Sequence, residues 1–204
     1  DRALISKDTT IREIHHRVKN NLQTVSALLR LQARRIEDEA ASAAIEEAVR
    51  RVASIALVHE TLSNTSQDSV QFDEVINKIL QSAVELSTRP NQIVISKIGE
   101  FGLVPALVAT PLALVVTELV HNALEHGVSA EGTKVEVHVE RDSQSMQVAI
   151  VDDGVGVPEG FTLDQVNLGL QIVQTLTQNE LAGALELIKL ERGTEFRIKF
   201  PINR

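Results

Sequence analysis

Three groups of residues in this chain have the types and spacing to handle a nucleotide. In Glu118-Leu119-Val120-His121-Asn122-Ala123 an acid and an amide stand one helical turn apart, and His126 follows at the next interval of four. An amide oxygen is a hard ligand suited to Mg2+, and a neighbouring carboxylate can orient a metal-bound water. Asp152 ends an apolar strand in Asp152-Asp153-Gly154-Val155-Gly156, where its carboxylate can accept the exocyclic amino proton of adenine. Gly154 and Gly156 let the backbone approach a flat base. In Asn167-Leu168-Gly169-Leu170 a glycine opens a helix whose free amides favour phosphate. Each group also has a plainer reading, as a polar helix face, a turn or a helix start. Their order and spacing together argue for an ATP pocket.

The segment between the last two groups, Val157 to Val166, reads as a cover and contains no Lys or Arg, which leaves phosphate charge to a metal and to backbone amides. Gly193-Thr194 offers adenine a hydroxyl, although a hairpin turn explains the glycine as well.

A fourth group near the other end, Glu13-Ile14-His15-His16-Arg17-Val18-Lys19-Asn20-Asn21, supplies a nucleophile. At about 100° per residue, a helical stripe centred on Val18 leaves His15 ~50° from its middle and His16 ~150° away, among Arg12, Glu13, Asn20 and Gln23. A neutral imidazole is nucleophilic near neutral pH, and an outward one can meet a γ-phosphate brought by another domain. Glu13 is a candidate base one turn earlier on that face.

The elements that must position these groups follow from pattern. Thr9 to about Leu62 has no glycine or proline. Apolar residues recur there at Ile11, Ile14, Val18, Leu22, Val25, Leu29 and Ile36, then at Ile45, Val49, Val52, Ile55, Ala56, His59 and Leu62. Two helices with a turn at Glu37-Asp38-Glu39 form a hairpin that a second copy would complete as a dimeric four-helix bundle. Residues 1–8 read as the tail of a linker. The polar run from Ser63 to Ser69 divides residues 1–66, a dimerisation and phosphotransfer hairpin, from residues 67–204, a catalytic ATP-binding domain.

In the second part the pattern predicts helices at Phe72–Leu86, from an N-cap at Thr110 and Pro111 to about His126, and at Leu168–Thr177. Strands are expected at Gln92–Ile98, Lys134–Arg141, Met146–Val151, Leu185–Leu190 and Glu195–Phe200. Such an order implies an α+β sandwich, mainly antiparallel, with helices on one face.

Composition sets the outer limits. The net charge of −8 is uneven: residues 1–66 hold 10 Lys/Arg and 9 Asp/Glu, and the remainder 10 and 19. An acidic second part, with five Phe and neither Tyr nor Trp, argues against direct nucleic-acid binding. The most apolar stretch, Leu103 to Leu124, is broken by Thr117, Glu118, His121 and Asn122, so no membrane segment is expected. The chain has no cysteine, which fits a reducing, cytoplasmic setting.

On these residues the chain resembles the ATP-binding domain shared by histidine kinases, gyrase, Hsp90 and MutL. The N box lies at Glu118 to His126, the G1 box at Asp152 to Gly156, the G2 box at Asn167 to Val173 and the G3 element at Gly193 to Phe196. The resemblance implies that Asn122, with Glu118, serves Mg2+, that Asp152 takes adenine, and that Gly169, flanked by Leu168 and Leu170, takes the phosphates. Ile14 to Gln23 resembles the phosphoacceptor helix of bacterial sensor histidine kinases of the HisKA_2 type, whose His-Arg-x-x-Asn places the acceptor on His16. More familiar histidine kinases carry an acid directly after the histidine, where this chain has Arg17; Asn20, by the same resemblance, positions water for dephosphorylating a partner. Glu125 stands where many relatives have Lys.

The resemblance implies autophosphorylation of His16 by Mg-ATP and relay to an aspartate of a response-regulator receiver, in a homodimer. A regulator with an RNA-binding antitermination output suits this kinase type. The rival readings are a serine kinase of the anti-sigma type and a degenerate nucleotide-binding scaffold.

Overall fold

The computed structural model describes residues 2–63, 69–87, 92–128, 132–163 and 168–202, without the side chains of residues 2–12, 15, 62, 63 and 86. Asn167 and the end of the cover at 164–166 lie outside the described residues, as does the polar run at 64–68.

Helix α1 runs Arg2–Ala33 and α2 runs Glu39–Ser63. The stretch read as a linker tail is therefore helical from Arg2. The reversal occupies residues 34–38, where Asp38 starts α2: its carboxylate accepts the Ala41 N–H at 2.7 Å and its carbonyl the Ser42 N–H at 3.0 Å. An acidic cap of this kind satisfies one of the free amides of a helix start.

The apolar residues of α1 divide between two faces. Val18, Leu22, Ser26, Leu29 and Ala33 turn toward α2, whereas Ile14 and Val25, expected in that stripe, are 53% and 44% exposed. With Leu28 and Leu31, also exposed, they form a second sector about 110° round the helix. One partner helix covers one stripe, and α1 carries two.

Helix α2 has two covered faces of its own. One meets α1, with a Lys19–Glu60 ion pair of 2.9 Å across the hairpin; the Lys19 ammonium holds the Glu60 carboxyl below the usual range. The other places Val58 in the main hydrophobic core, together with residues of the sheet domain.

The sheet has five strands in the order β2-β4-β5-β7-β6: β2 Val94–Ile98, β4 Lys134–Arg141, β5 Ser145–Asp152, β6 Ala184–Lys189 and β7 Thr194–Pro201. Only the β2–β4 pairing is parallel. Alternation sends Val135, Val137 and Val139, then Met146, Val148 and Ile150, then Phe196, Ile198 and Phe200 to one buried face. Register lines them up in rows, with Val137 opposite Ile150 and Ile150 opposite Phe196. Helices α3 (Phe72–Leu86), α4 (Ala106–Asn122) and α5 (Leu168–Thr175) share that core.

The pattern missed a two-stranded sheet, β1 (Ser69–Gln71) with β3 (Leu103–Pro105). Three-residue strands are too short to show alternation. They are held beside the start of α3 by Asp73, whose carboxylate accepts the N–H of Phe101 at 3.2 Å and of Gly102 at 2.8 Å and pairs with Lys97. Phe72 and Phe101 meet edge to face, centroids 5.0 Å apart, a geometry worth about 0.5–1.5 kcal/mol beyond burial.

Helix α4 begins at Ala106, so Pro111 lies inside it and Thr110 is not its cap. The proline deprives only the Leu107 carbonyl of a helical donor, and Leu107 is 89% exposed, where water can replace it. The helix ends in a π-helical turn, Ala123–Gly127, closed by Val128 N–H to the Ala123 carbonyl at 2.9 Å. Helix α5 likewise passes into a π-helical turn at Leu176–Glu180. Among the described residues Ala106–Gly127 is the one helix long and apolar enough to cross a membrane, by length and composition alone. Its most apolar window is 67% buried within the protein, as befits a core helix.

Candidate nucleotide site and phosphoacceptor helix

Asp152 is the next inward position after Met146, Val148 and Ile150, so the alternation that builds the core also points its carboxylate into the helical layer. Register sets it opposite Thr194 on β7, which lies on the same face. Both are buried, Asp152 at 4% exposure. Its carboxylate accepts the Gly154 N–H at 3.0 Å and the Thr194 backbone N–H. Burial nevertheless raises its pKa above the ordinary range, against the pull of those two donors, and the nearby Asp153 adds to the rise.

Close backbone approach explains three glycines here. A β-carbon on Gly127 would lie 2.5 Å from the Asp152 carboxyl carbon, one on Gly154 1.7 Å from the Gly127 carbonyl, and one on Gly193 1.8 Å from the Asp152 carbonyl. Gly193, at φ +86°, also occupies a left-handed conformation. The π-helical turn delivers Gly127 to this spot, where its carbonyl accepts the Val155 N–H at 3.2 Å. Gly127 was missed from sequence, although a glycine directly after a helix is a signal.

Gly154→Ala therefore forces two backbone segments apart. The expected cost is at least about 3 kcal/mol, a fall in melting temperature of roughly 6–12 °C, measured by thermal denaturation.

Asp153 has a different task. It accepts the Thr133 and Lys134 N–H groups, each at 2.8 Å, and although burial opposes it these donors hold its carboxyl below the ordinary range. The cover lacks cations of its own, but two reach its neighbourhood from the β6–β7 hairpin: Lys189 donates to the Pro158 carbonyl at 3.2 Å and Arg192 to the Asp153 carbonyl at 3.0 Å.

Asn122 is buried at 8% exposure, and its side-chain Nδ2 has no partner among the described residues. A buried NH2 donor without a partner is costly unless a ligand supplies an acceptor, so the residue fits a site that receives a phosphate oxygen, with its Oδ1 the atom suited to a metal. His126, a turn later, is exposed. Gly156 stands near Gly193, and Gly169 and Leu170 are buried at the start of α5, with Leu168 exposed beside them.

Glu118 departs from the expected polar face. It is 3% exposed, and Arg51 of α2 grips it with Nε on Oε1 at 2.8 Å and Nη2 on Oε2 at 3.1 Å. Arg51 also pairs with Glu47. Burial is the largest influence on Glu118 and raises its pKa despite the guanidinium. Arg50 reaches His121 Nε2 at 2.8 Å, and Ser54 and Thr117 share a hydrogen bond of 2.8 Å. Burial, then Arg50, lower the His121 pKa and outweigh the Glu125 carboxylate 3.0 Å away. Nothing in spacing marks Arg50 or Arg51 as partners of residues 67 and more positions away.

His16 is exposed on α1, about 120° from the side facing α2 and ~130° from the exposed apolar sector. Glu13 is bound by Arg17, its Oε1 2.6 Å from Nη2, and Asn20 is exposed on the same side.

Residues 13–87 match the family described as Histidine kinase, and residues 108–204 the one described as Histidine kinase-, DNA gyrase B-, and HSP90-like ATPase. The chain belongs to the HisKA_2-type histidine kinases. The first match extends through α3, beyond the expected boundary at residue 66. Over 209 residues this histidine kinase chain is 49% identical to sensor histidine kinase PdtaS of Mycobacterium tuberculosis, covering 100% of the chain and 42% of that relative. It thus spans less than half the length of that curated relative. The solved structure of the Erythrobacter litoralis blue-light activated histidine kinase superposes with a TM-score of 0.72 at 26% identity, over 95% of this chain and 59% of that one. The histidine kinase domain from the same protein, at 24% identity and TM-score 0.70, covers 99% and 95% and shows the shared fold.

Proposed function

We propose that the chain is the kinase core of a sensor histidine kinase, which transfers the γ-phosphoryl group of ATP to His16 and then to an aspartate on a response-regulator receiver. The observation that carries this reading is an exposed imidazole on one helix of a hairpin, in the same chain as a buried Asp152 crowded by glycines and a buried Asn122 whose NH2 group has no partner among the described residues. Residues 1–66 act as the dimerisation and phosphotransfer hairpin, and residues 67–204 as the catalytic domain. The exposed sector Ile14, Val25, Leu28 and Leu31 supports a second copy as its cover, which leaves the His16 side free.

In the transfer, the lone pair of the neutral His16 ring attacks the γ-phosphorus in line as the bond to the β–γ bridging oxygen breaks and ADP departs. The proton on the other ring nitrogen passes to solvent or to a base, for which Glu13 is the candidate once Arg17 releases it. Asp152 accepts the adenine amino group, Thr194 lines the same recess, and Gly154 and Gly156 admit the base. Residues 168–170 present amides to phosphate, and Asn122 and Glu118 would hold Mg2+, which supplies charge neutralisation when bound. Asn20 positions a water for dephosphorylating the regulator. A cytoplasmic setting and a regulator with RNA-binding antitermination output suit this kinase type.

Incubation with γ-labelled ATP and Mg2+ tests the reading. The expected product carries acid-labile, base-stable phosphate that chases onto a receiver domain. Acid-stable label on Ser or Thr would establish the anti-sigma type of kinase instead, and nucleotide binding without label would establish a scaffold.

A further inference from the structure

A cleft of about 820 Å3 lies where α1, α2, α3 and the end of α4 converge. That volume is in the range of small-molecule sites, which favour junctions between packed units. It is separate from the nucleotide site, since Asn122, Asp152, Gly169 and Thr194 are not among its walls.

Two kinds of surface line it. Leu57, Ile79, Ala83 and Leu124, at the flank of the main core, supply aliphatic walls together with the buried Val49. Helix α1 adds Arg30 and Arg34, one turn apart, and α2 adds Arg50. Neither Arg30 nor Arg34 has an ion pair or a side-chain hydrogen bond among the described residues. Arg50 meets His121 through a single nitrogen, at 2.8 Å, which leaves most of its five donors for another partner. The acids of the lining are Glu46 and Glu125, and Glu125 is 3.0 Å from His121. Three guanidinium groups against two carboxylates leave the cleft cationic.

Its occupant is constrained further by what the walls lack. No Phe lines the cleft and the chain has neither Tyr nor Trp, so a nucleobase would find no ring on which to stack. Arg30 and Arg34 stand roughly 120–160° round α1 from Leu28, so a second copy seated on that apolar sector leaves the cleft open.

We propose that this cleft binds a small organic anion with an aliphatic body, its phosphate or carboxylate head held by Arg30, Arg34 and Arg50 and its body laid against Val49, Leu57, Ile79 and Leu124. A guanidinium fork matches paired oxygens on such a head, and the aliphatic walls reward removal of the body from water. The site does not depend on the chemistry of His16.

Decyl phosphate, kept below its micelle-forming concentration, is the probe, and calorimetry on the full chain without nucleotide is the measurement. One molecule per chain should bind, and Arg30→Gln/Arg34→Gln should weaken it by at least about 10-fold. Both arginines are exposed, so the double variant should melt with the wild type. Glu46→Gln should tighten binding several-fold by removing a carboxylate from the lining. Ala83→Phe, which puts a ring into the space, should weaken it by at least about 10-fold. Decanol and inorganic phosphate carry the body or the head alone, and each should bind at least about 10-fold more weakly than the probe. Mg-ATP should not displace it. Equal affinity in wild type and the double arginine variant, inorganic phosphate binding as tightly as the probe, displacement by Mg-ATP, or no binding at all would overturn the proposal.

Discussion

His16→Gln should remove all label transferred from γ-labelled ATP, a loss of at least about 1,000-fold, because the amide lacks the nucleophilic lone pair of a neutral imidazole. Its position makes the test clean. The ring is exposed, so truncating it disturbs neither the α1–α2 contact nor the apolar sector centred on Leu28, and the melting temperature should stay within about 2 °C of wild type. Nucleotide affinity should be unchanged, since the pocket residues belong to other elements. His15 serves as the internal control: it lies next in sequence, and any label persisting in His16→Gln would point to it or to a hydroxyl. Chemical stability of the residual phosphate separates these outcomes.

Asp152→Asn should weaken ATP binding by roughly 30–100-fold, measured by calorimetry or by displacement of a fluorescent nucleotide. The substitution keeps the shape and leaves an oxygen for the Gly154 N–H at 3.0 Å, but turns an NH2 group toward the adenine amino group. Two donors then face one another, and losing a charge-assisted bond costs about 2–3 kcal/mol. The same change should favour a base with a 6-oxo group, so the ratio of ATP to ITP affinity should fall more than either affinity alone. Acidity offers an independent check. Burial raises the Asp152 pKa, so wild-type binding should decline on acidification at a higher pH than an ordinary aspartate of about 3.9 would produce. At this group the sign for folding is opposite: a raised native pKa favours the protonated folded chain, so acidification stabilises the nucleotide-free protein here while weakening its hold on adenine.

Much of this arrangement was legible in the residues, and the reason is periodicity. Helix α3 and strand β4 match their expected bounds at both ends because each presents several apolar residues at one spacing to one layer. The same alternation, continued by one step, would have placed Asp152 on the core face rather than simply at a strand end. Helix α4 began earlier than expected because Thr110-Pro111 mimics a helix start, while the true beginning at Ala106 carries no polar cap. The stripe on α1 failed at Ile14 and Val25 because a helix with two apolar sectors blurs into one broad stripe when read linearly. Glu118 was legible as a functional acid and illegible as a bound one. Its partner lies 67 positions away, on a helix of the other half of the chain.

Helix α2 is clasped along both flanks, by α1 through Lys19–Glu60 and by the sheet domain through Val58 and the Arg51 contact. It works as a camshaft rather than a tether: a turn about its own axis cannot slip past one neighbour without pushing the other. A shift of α2 is therefore passed to the nucleotide-binding half through its Arg51 and Val58 contacts.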